Sequence, residues 1–99
     1  MRVELSRAAR KELDKLNQPV WGRMKKALKK LELEPPEGDI KKLTGADGYR
    51  VRVGDYRIVF DIVSVTEIGD DGKEGETQVV SVESVLPRGE VYKGKGAVQ

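Results

Sequence analysis

The apolar residues of this chain change their spacing near its middle, and this change limits the folds open to it. Up to Leu31 they recur every three or four residues, which is the period of an amphipathic helix. From Tyr49 to Ile62 they alternate with polar or charged residues, which is the period of a half-buried strand. Helices followed by strands in one short chain predict an α+β fold.

Two helices are predicted in the first third of the chain. A short strand at residues 3–5 leads to Ser6, which can cap a helix that ends near Asn17. Pro19 suits the first turn of a second helix, which must end before Pro35. Because the link between them is short, we expect the two helices to pack antiparallel as a helical hairpin.

The strands begin at Tyr49, and Gly54 with Asp55 forms a two-residue turn between the first two. Residues 66–77 are polar and rich in glycine and acid, so we expect a long exposed connection there. Residues 78–86 are predicted as a central strand that is buried on both faces. The whole pattern predicts an N-terminal strand and a two-helix hairpin packed on a small, mainly antiparallel twisted sheet.

Composition excludes several classes of function. The 99 residues include no cysteine and no histidine, so disulfides, a thiolate nucleophile, an imidazole base and typical zinc ligands are absent. We expect no cofactor and no metal. Neither a signal peptide nor an apolar run of membrane-spanning length is present, which predicts a cytoplasmic protein without a membrane partner. We expect one domain over residues 1–93, followed by a flexible tail at 94–99.

Charge is distributed unevenly along the chain. The net charge of +2 divides into +6 for residues 1–33, zero for residues 34–60 and −4 for residues 61–99. A basic helical pair is compatible with a polyanionic partner, although such charges are also common on the solvated face of amphipathic helices.

The predicted hairpin places three arginines on one face. A two-residue turn sets Arg52 opposite Arg57, and Arg50 follows on the same side. Like charges that face each other are unfavourable, and an arginine side chain cannot relieve the repulsion by losing its proton, because the guanidinium group stays protonated in proteins. An anion is therefore expected there, and a phosphodiester suits the guanidinium fork. The alternative is that Asp61, on the same face, neutralises the arginines in an ordinary surface network.

Two motifs carry a resemblance to a known family. The run LTGADGYRVRVGDYRIVF at residues 43–60 and the run VLPRGEVY at residues 85–92 resemble the RelE/ParE superfamily of bacterial and archaeal toxins. The G-D-Y-R turn and the final R-x-x-V-Y are the specific parts. The order of elements is similar from Arg2 to about Lys93, which implies a RelE-like fold.

The resemblance to the RelE branch implies a site and a reaction. The branch cleaves mRNA in the ribosomal A site by attack of the RNA 2'-hydroxyl on the adjacent phosphate, without a metal. The matching residues are Arg50 and Arg52 on the first hairpin strand, Arg57 in the turn motif, and Arg88 and Tyr92 near the C-terminus.

Chemistry suggests a division of roles among these five residues. Arg57 and Arg88 can bind the phosphate, whereas Arg50 and Arg52 can stabilise developing charge or hold the flanking backbone. Tyr92 is the candidate base, because neighbouring guanidiniums would lower the phenol pKa from its reference value of about 10. Tyr92 could instead stack on a base or simply close the sheet.

The chain departs from the RelE pattern in one important respect. Related ribonucleases often carry lysines where this chain has Arg50 and Arg52, and a lysine can exchange protons whereas an arginine cannot. The group that would protonate the leaving 5'-oxygen is therefore not identified by the sequence.

The leading hypothesis is a toxin that acts as a ribosome-dependent mRNA endoribonuclease. Its expected partners are a cognate antitoxin, the ribosome and mRNA, and operator DNA through the antitoxin complex. Four lysines of the second helix are candidates for contact with RNA phosphates: Lys25, Lys26, Lys29 and Lys30. The alternatives are a ParE-like gyrase inhibitor without nuclease activity, and a degenerate member that only binds antitoxin and operator DNA as a co-repressor.

Overall fold

The computed structural model describes residues 1–87, 89 and 90, and these residues form two helices and five strands. The predicted α+β class is confirmed. The proposed tail at 94–99 lies outside the described residues. In chain order the elements are β1 (Arg2–Leu5), α1 (Arg7–Asp14), α2 (Val20–Leu31), β2 (Ile40–Lys42), β3 (Tyr49–Val53), β4 (Tyr56–Ile68) and β5 (Glu74–Pro87).

The five strands form one sheet in the order β1-β5-β4-β3-β2. Only β1 and β5 are parallel, and the other neighbouring pairs are antiparallel, as predicted. Val79 and Val80 are consecutive residues of β5, so their side chains point to opposite faces, yet both are 0% exposed. The prediction of a strand buried on both faces is therefore confirmed at residues 79 and 80, whereas Ser81, Ser84 and Leu86 are half-buried.

Ser6 joins α1 to the sheet. Its Oγ accepts a hydrogen bond from the Ala9 amide at 3.0 Å, as the cap prediction requires, and donates one to the Glu83 carbonyl at 2.6 Å. One hydroxyl thus fixes both the start of α1 and its position against β5.

The helices are shorter than the sequence predicts. The helix α1 ends at Asp14 rather than near Asn17, because the amides of Lys15 and Leu16 bond to carbonyls three residues back and tighten the last turn. The helix α1 packs mainly against β5, whereas α2 packs against β3. Neither helix is long and apolar enough to cross a bilayer, within the part of the chain that the structure describes.

The helices cover one face of the sheet, which we call the inner face. The core joins buried residues of both helices to inward-facing residues of three strands, and Tyr49 stacks on Phe60 across β3 and β4 with ring centroids 5.6 Å apart. Alternation along β3 and β4 sends the residues between these core positions to the opposite side, which we call the outer face. The buried core residues are Ala9, Leu13, Met24, Leu31, Val51, Ile58, Phe60, Val80, Val82 and Val85.

Residues 66–77 are exposed, as expected, but the expectation of a long connection there is wrong. Strand β4 continues to Ile68 and pairs with β5 from Glu74 onwards, so only residues 69–73 form the turn. The turn is closed by the Gly69 amide, which donates to the Lys73 carbonyl at 2.9 Å. Backbone pairing extends the hairpin although its side chains are polar and exposed.

Strand β2 was not predicted, and it forms the sheet edge beside β3. The link from β2 to β3 passes close to β4 at Gly48, which is buried with a φ of 109°. A Cβ at that position would lie 2.9 Å from the Phe60 carbonyl oxygen, so only glycine permits this approach. The antiparallel pairing of β2 with β3 places Lys41 opposite Arg50.

Replacing Phe60 tests the central position of its ring. Phe60 is 1% exposed, and Phe60→Ala is expected to lower the free energy of unfolding by about 3–5 kcal/mol because it leaves a cavity. Ile68→Ala is the matched control, since Ile68 is 72% exposed on the hairpin and should change stability by less than about 0.5 kcal/mol. Urea unfolding measures both, and equal effects would contradict this packing.

Candidate nucleic-acid interface

The turn between β3 and β4 sets the geometry of the arginines. Gly54 has a φ of 58° and, with Asp55, closes a two-residue hairpin turn. The register then places Arg52 directly opposite Arg57, as the sequence predicted. Arg50 lies two residues along the same strand and therefore shares their outer face.

The three arginines line an open cleft of about 540 Å³, which we call the arginine groove. Gly54, Asp55, Tyr56 and Gly89 complete its lining. Three permanent positive charges thus face a space that can admit a segment of an extended anionic chain.

A second space of about 280 Å³ adjoins the first, and we call it the lysine groove. Arg50 and Arg57 line both grooves, while Lys41 and Lys42 are found in the lysine groove. Sequence reasoning missed these two lysines because three residues of β2 give too short a pattern to identify a strand. The sequence does place two adjacent lysines shortly before β3. If that segment is assumed to pair with β3, one of the two lysines must lie on the same face as Arg50.

Within residues 1–87, 89 and 90, none of the three arginines forms an ion pair, although Asp55 lines the same groove. The ion pairs found there join Arg2 to Glu4 and Glu67 at 3.3 and 2.9 Å, and Lys15 to Glu12 at 3.2 Å. Asp61 instead accepts a hydrogen bond from the Ile62 amide at 2.8 Å. The alternative in which Asp61 neutralises the arginines is therefore not supported.

Each arginine has a different environment. Arg57 is half-buried, and its Nη2 donates to the Glu90 carbonyl. Arg50 is also half-buried, and its Nη1 is buried without a hydrogen-bond partner among the described residues. Arg52 is exposed. A buried donor without an acceptor lowers the stability of the folded protein by about 1–3 kcal/mol. An anionic oxygen that accepts a hydrogen bond from Arg50 would remove this loss.

Two of the five predicted site residues, Arg88 and Tyr92, lie outside the described residues. Their places in the site stay predictions. The residues that follow Arg88 do reach the site. Gly89 lines the arginine groove, and the Glu90 carbonyl accepts a hydrogen bond from the Arg57 side chain. The structure brings together the other three, Arg50, Arg52 and Arg57.

The lysines predicted to contact RNA are exposed on α2: Lys25, Lys26, Lys29 and Lys30. Lys26 and Lys30 line a groove of about 250 Å³ together with Arg23 and Arg52, which we call the α2 groove. Lys25 lies over the Trp21 ring, with its Nζ 5.9 Å from the centroid. Arg52 lines both the α2 groove and the arginine groove, and the α2 groove also contains the carboxylates of Glu37 and Asp39.

Comparison with known protein families shows which family the chain belongs to. Residues 3–92 match the family described as the ParE toxin of the type II toxin–antitoxin system, parDE. The chain belongs to this toxin family. It is therefore a member of the RelE/ParE superfamily, as the motifs at residues 43–60 and 85–92 predicted, and the family implies a cognate antitoxin as partner. No curated protein and no solved structure matches the chain.

Removing one charge of the Arg52–Arg57 pair tests whether repulsion between the two side chains lowers the stability of the toxin. Arg52→Gln is expected to raise the free energy of unfolding by about 0.2–1 kcal/mol at low salt, because it relieves repulsion from Arg57. The gain should shrink at high salt as screening increases. Arg2→Gln is the control of opposite sign, since Arg2 pairs with Glu4 and Glu67. Destabilisation by Arg52→Gln would contradict the repulsive pair.

Proposed function

We propose that this toxin is a ribosome-dependent endoribonuclease that cleaves mRNA at the arginine groove. The observation that supports this proposal most strongly is the convergence of Arg50, Arg52 and Arg57 on one face without a carboxylate partner among the described residues. Charges that repel each other in the free protein become favourable when a phosphodiester lies between them.

The proposed reaction uses the substrate's own nucleophile. The RNA 2'-hydroxyl attacks the adjacent phosphorus, the bond to the 5'-oxygen breaks, and a 2',3'-cyclic phosphate and a 5'-hydroxyl result. Arg50 and Arg57 lie between the two grooves, where they can bind the phosphate and stabilise its additional charge in the transition state. Arg52, which is exposed, suits contact with the flanking backbone.

The remaining predicted residues complete this proposal. Arg88 is proposed as a further phosphate ligand, and Tyr92 as the base that receives the proton of the 2'-hydroxyl. Lys26 and Lys30 would extend the contact along the α2 groove, where ribosomal RNA or the flanking mRNA supplies phosphates. We expect the antitoxin to inhibit the toxin by covering the arginine face.

A second candidate is inhibition of DNA gyrase, and the family match favours it because the matched family is named for ParE. Such a toxin would act through its protein surface and would need no phosphate-binding cluster. The unneutralised arginines have no role in that mechanism, which is why we place ribonuclease activity first. A fold shared within one superfamily does not fix the activity, so the site must decide.

Adding the purified toxin to translating ribosomes and mapping the mRNA ends distinguishes the two candidates, with a gyrase supercoiling assay in parallel. We expect cleavage, and about a 10²–10³-fold slower rate for Arg57→Gln, because a transition-state donor is removed. Arg88→Gln should act in the same direction. Arg7→Gln is the control, since Arg7 is an exposed arginine of α1 that lines none of the three basic grooves. Intact mRNA together with blocked supercoiling would contradict the ribonuclease.

A further inference from the structure

Cleavage by the proposed route requires a proton donor that the arginines cannot supply. The 5'-oxygen leaves as an alkoxide unless it is protonated, and general acids accelerate such steps by about 10²–10⁴-fold. A guanidinium keeps its protons under all physiological conditions, so Arg50, Arg52 and Arg57 can stabilise charge but cannot act as the acid.

The edge strand β2 brings a lysine to the correct face. Lys41 pairs directly with Arg50 in the antiparallel ladder, and directly opposed residues project from the same side of a sheet. Lys41 also lines the lysine groove together with Arg50 and Arg57, the two arginines that we place at the phosphate. It is exposed, and no carboxylate within residues 1–87, 89 and 90 pairs with it.

Other titratable groups of the described lining fit the role less well. Asp55 lies in the β3–β4 turn and lines the arginine groove but not the lysine groove. Tyr56 lines the arginine groove but not the lysine groove, and it packs against the hydrophobic core, so it is placed less favourably than Lys41. Lys42 also lines the lysine groove, but its partner in the ladder is Tyr49, whereas the partner of Lys41 is Arg50. The alternation of the strand therefore favours Lys41 on the face of the arginines.

We propose that Lys41 is the general acid of the reaction, an inference that rests on the proposed ribonuclease function. As the 2'-oxygen bonds to phosphorus, the bond from phosphorus to the 5'-oxygen breaks and the Lys41 ammonium transfers one proton to that oxygen. The proton of the 2'-hydroxyl passes to a basic oxygen, for which Tyr92 is the sequence-based expectation. The neutral Lys41 amine then regains a proton from water.

Lys41→Arg separates proton donation from charge. The variant keeps a positive charge at an exposed position, so folding should be unchanged, but its guanidinium cannot donate. We expect it to cleave ordinary mRNA on the ribosome at least about 100-fold more slowly than the unaltered toxin. Lys73→Arg in the β4–β5 turn is the matched control and should cleave at the unaltered rate.

A substrate with a better leaving group then identifies the missing step. In this mRNA, sulfur replaces the 5'-oxygen at the scissile position, so the leaving group departs as a thiolate. A thiolate needs no protonation to leave, because thiols have pKa values near 8.5. We expect Lys41→Arg to cleave this RNA within a few-fold of the unaltered toxin. Such rescue would not follow from a purely structural or phosphate-binding role.

Three results would overturn the assignment. Full activity of Lys41→Arg on ordinary mRNA would show that no proton comes from Lys41, and an equal loss on both RNAs would show that Lys41 only binds or positions the substrate. Cleavage of neither RNA by the unaltered toxin would refute the ribonuclease itself, and the assignment with it. That last outcome is distinguishable because it appears before any substitution is made.

Discussion

The opposition of Arg52 and Arg57 across the β3–β4 hairpin is the constraint on which the candidate site depends. A two-residue turn fixes the register, and the register leaves two permanent charges facing each other on the side of the sheet away from the helices. Neither charge can be lost by deprotonation, and neither arginine forms an ion pair with a carboxylate of the described residues. The fold therefore maintains an unfavourable arrangement that an anionic ligand would make favourable.

The core explains how the chain sustains this arrangement. Phe60, Val51 and Ile58 alternate with the arginine positions and pack on the opposite face beneath both helices. A one-residue shift of register would expose these apolar side chains and bury the guanidiniums, so burial of the core also fixes the arginine face. Gly48 allows the chain just before β3 to lie against Phe60 of β4, and the pairing of β2 with β3 places Lys41 opposite Arg50.

Sequence patterns predicted the helices and strands that have one buried face and one solvent-exposed face. The cap at Ser6, the turn at Gly54 and the pairing of Arg52 with Arg57 follow from local rules that tertiary packing reinforced. The extension of the hairpin through residues 66–77 could not be read in this way, because its polar side chains have no buried face to create a period. Backbone pairing alone forms that ladder, and it leaves no signature in hydropathy.

The sequence predicted the part of the candidate site that comes from one hairpin, but not the part that depends on pairing with another strand. Arg50, Arg52 and Arg57 come from one hairpin, so alternation and turn length suffice to bring them together. Lys41 joins them only through the pairing of β2 with β3, and a three-residue edge strand carries no readable period. The link between the arginine groove and the α2 groove through Arg52 also depends on tertiary packing that no local pattern encodes.

The central claim is that the arginine face binds a nucleic-acid backbone, and the salt dependence of binding tests it most directly. The ligand is a short single-stranded RNA with 2'-O-methyl groups, which block the attacking hydroxyl. Removing one side chain that binds a phosphate should reduce the slope of log affinity against log salt by about 0.7 for a single strand. We expect that reduction for Arg50→Gln and for Arg57→Gln, and no change for Arg7→Gln. Slopes for both groove variants equal to that of the unaltered toxin would contradict the claim.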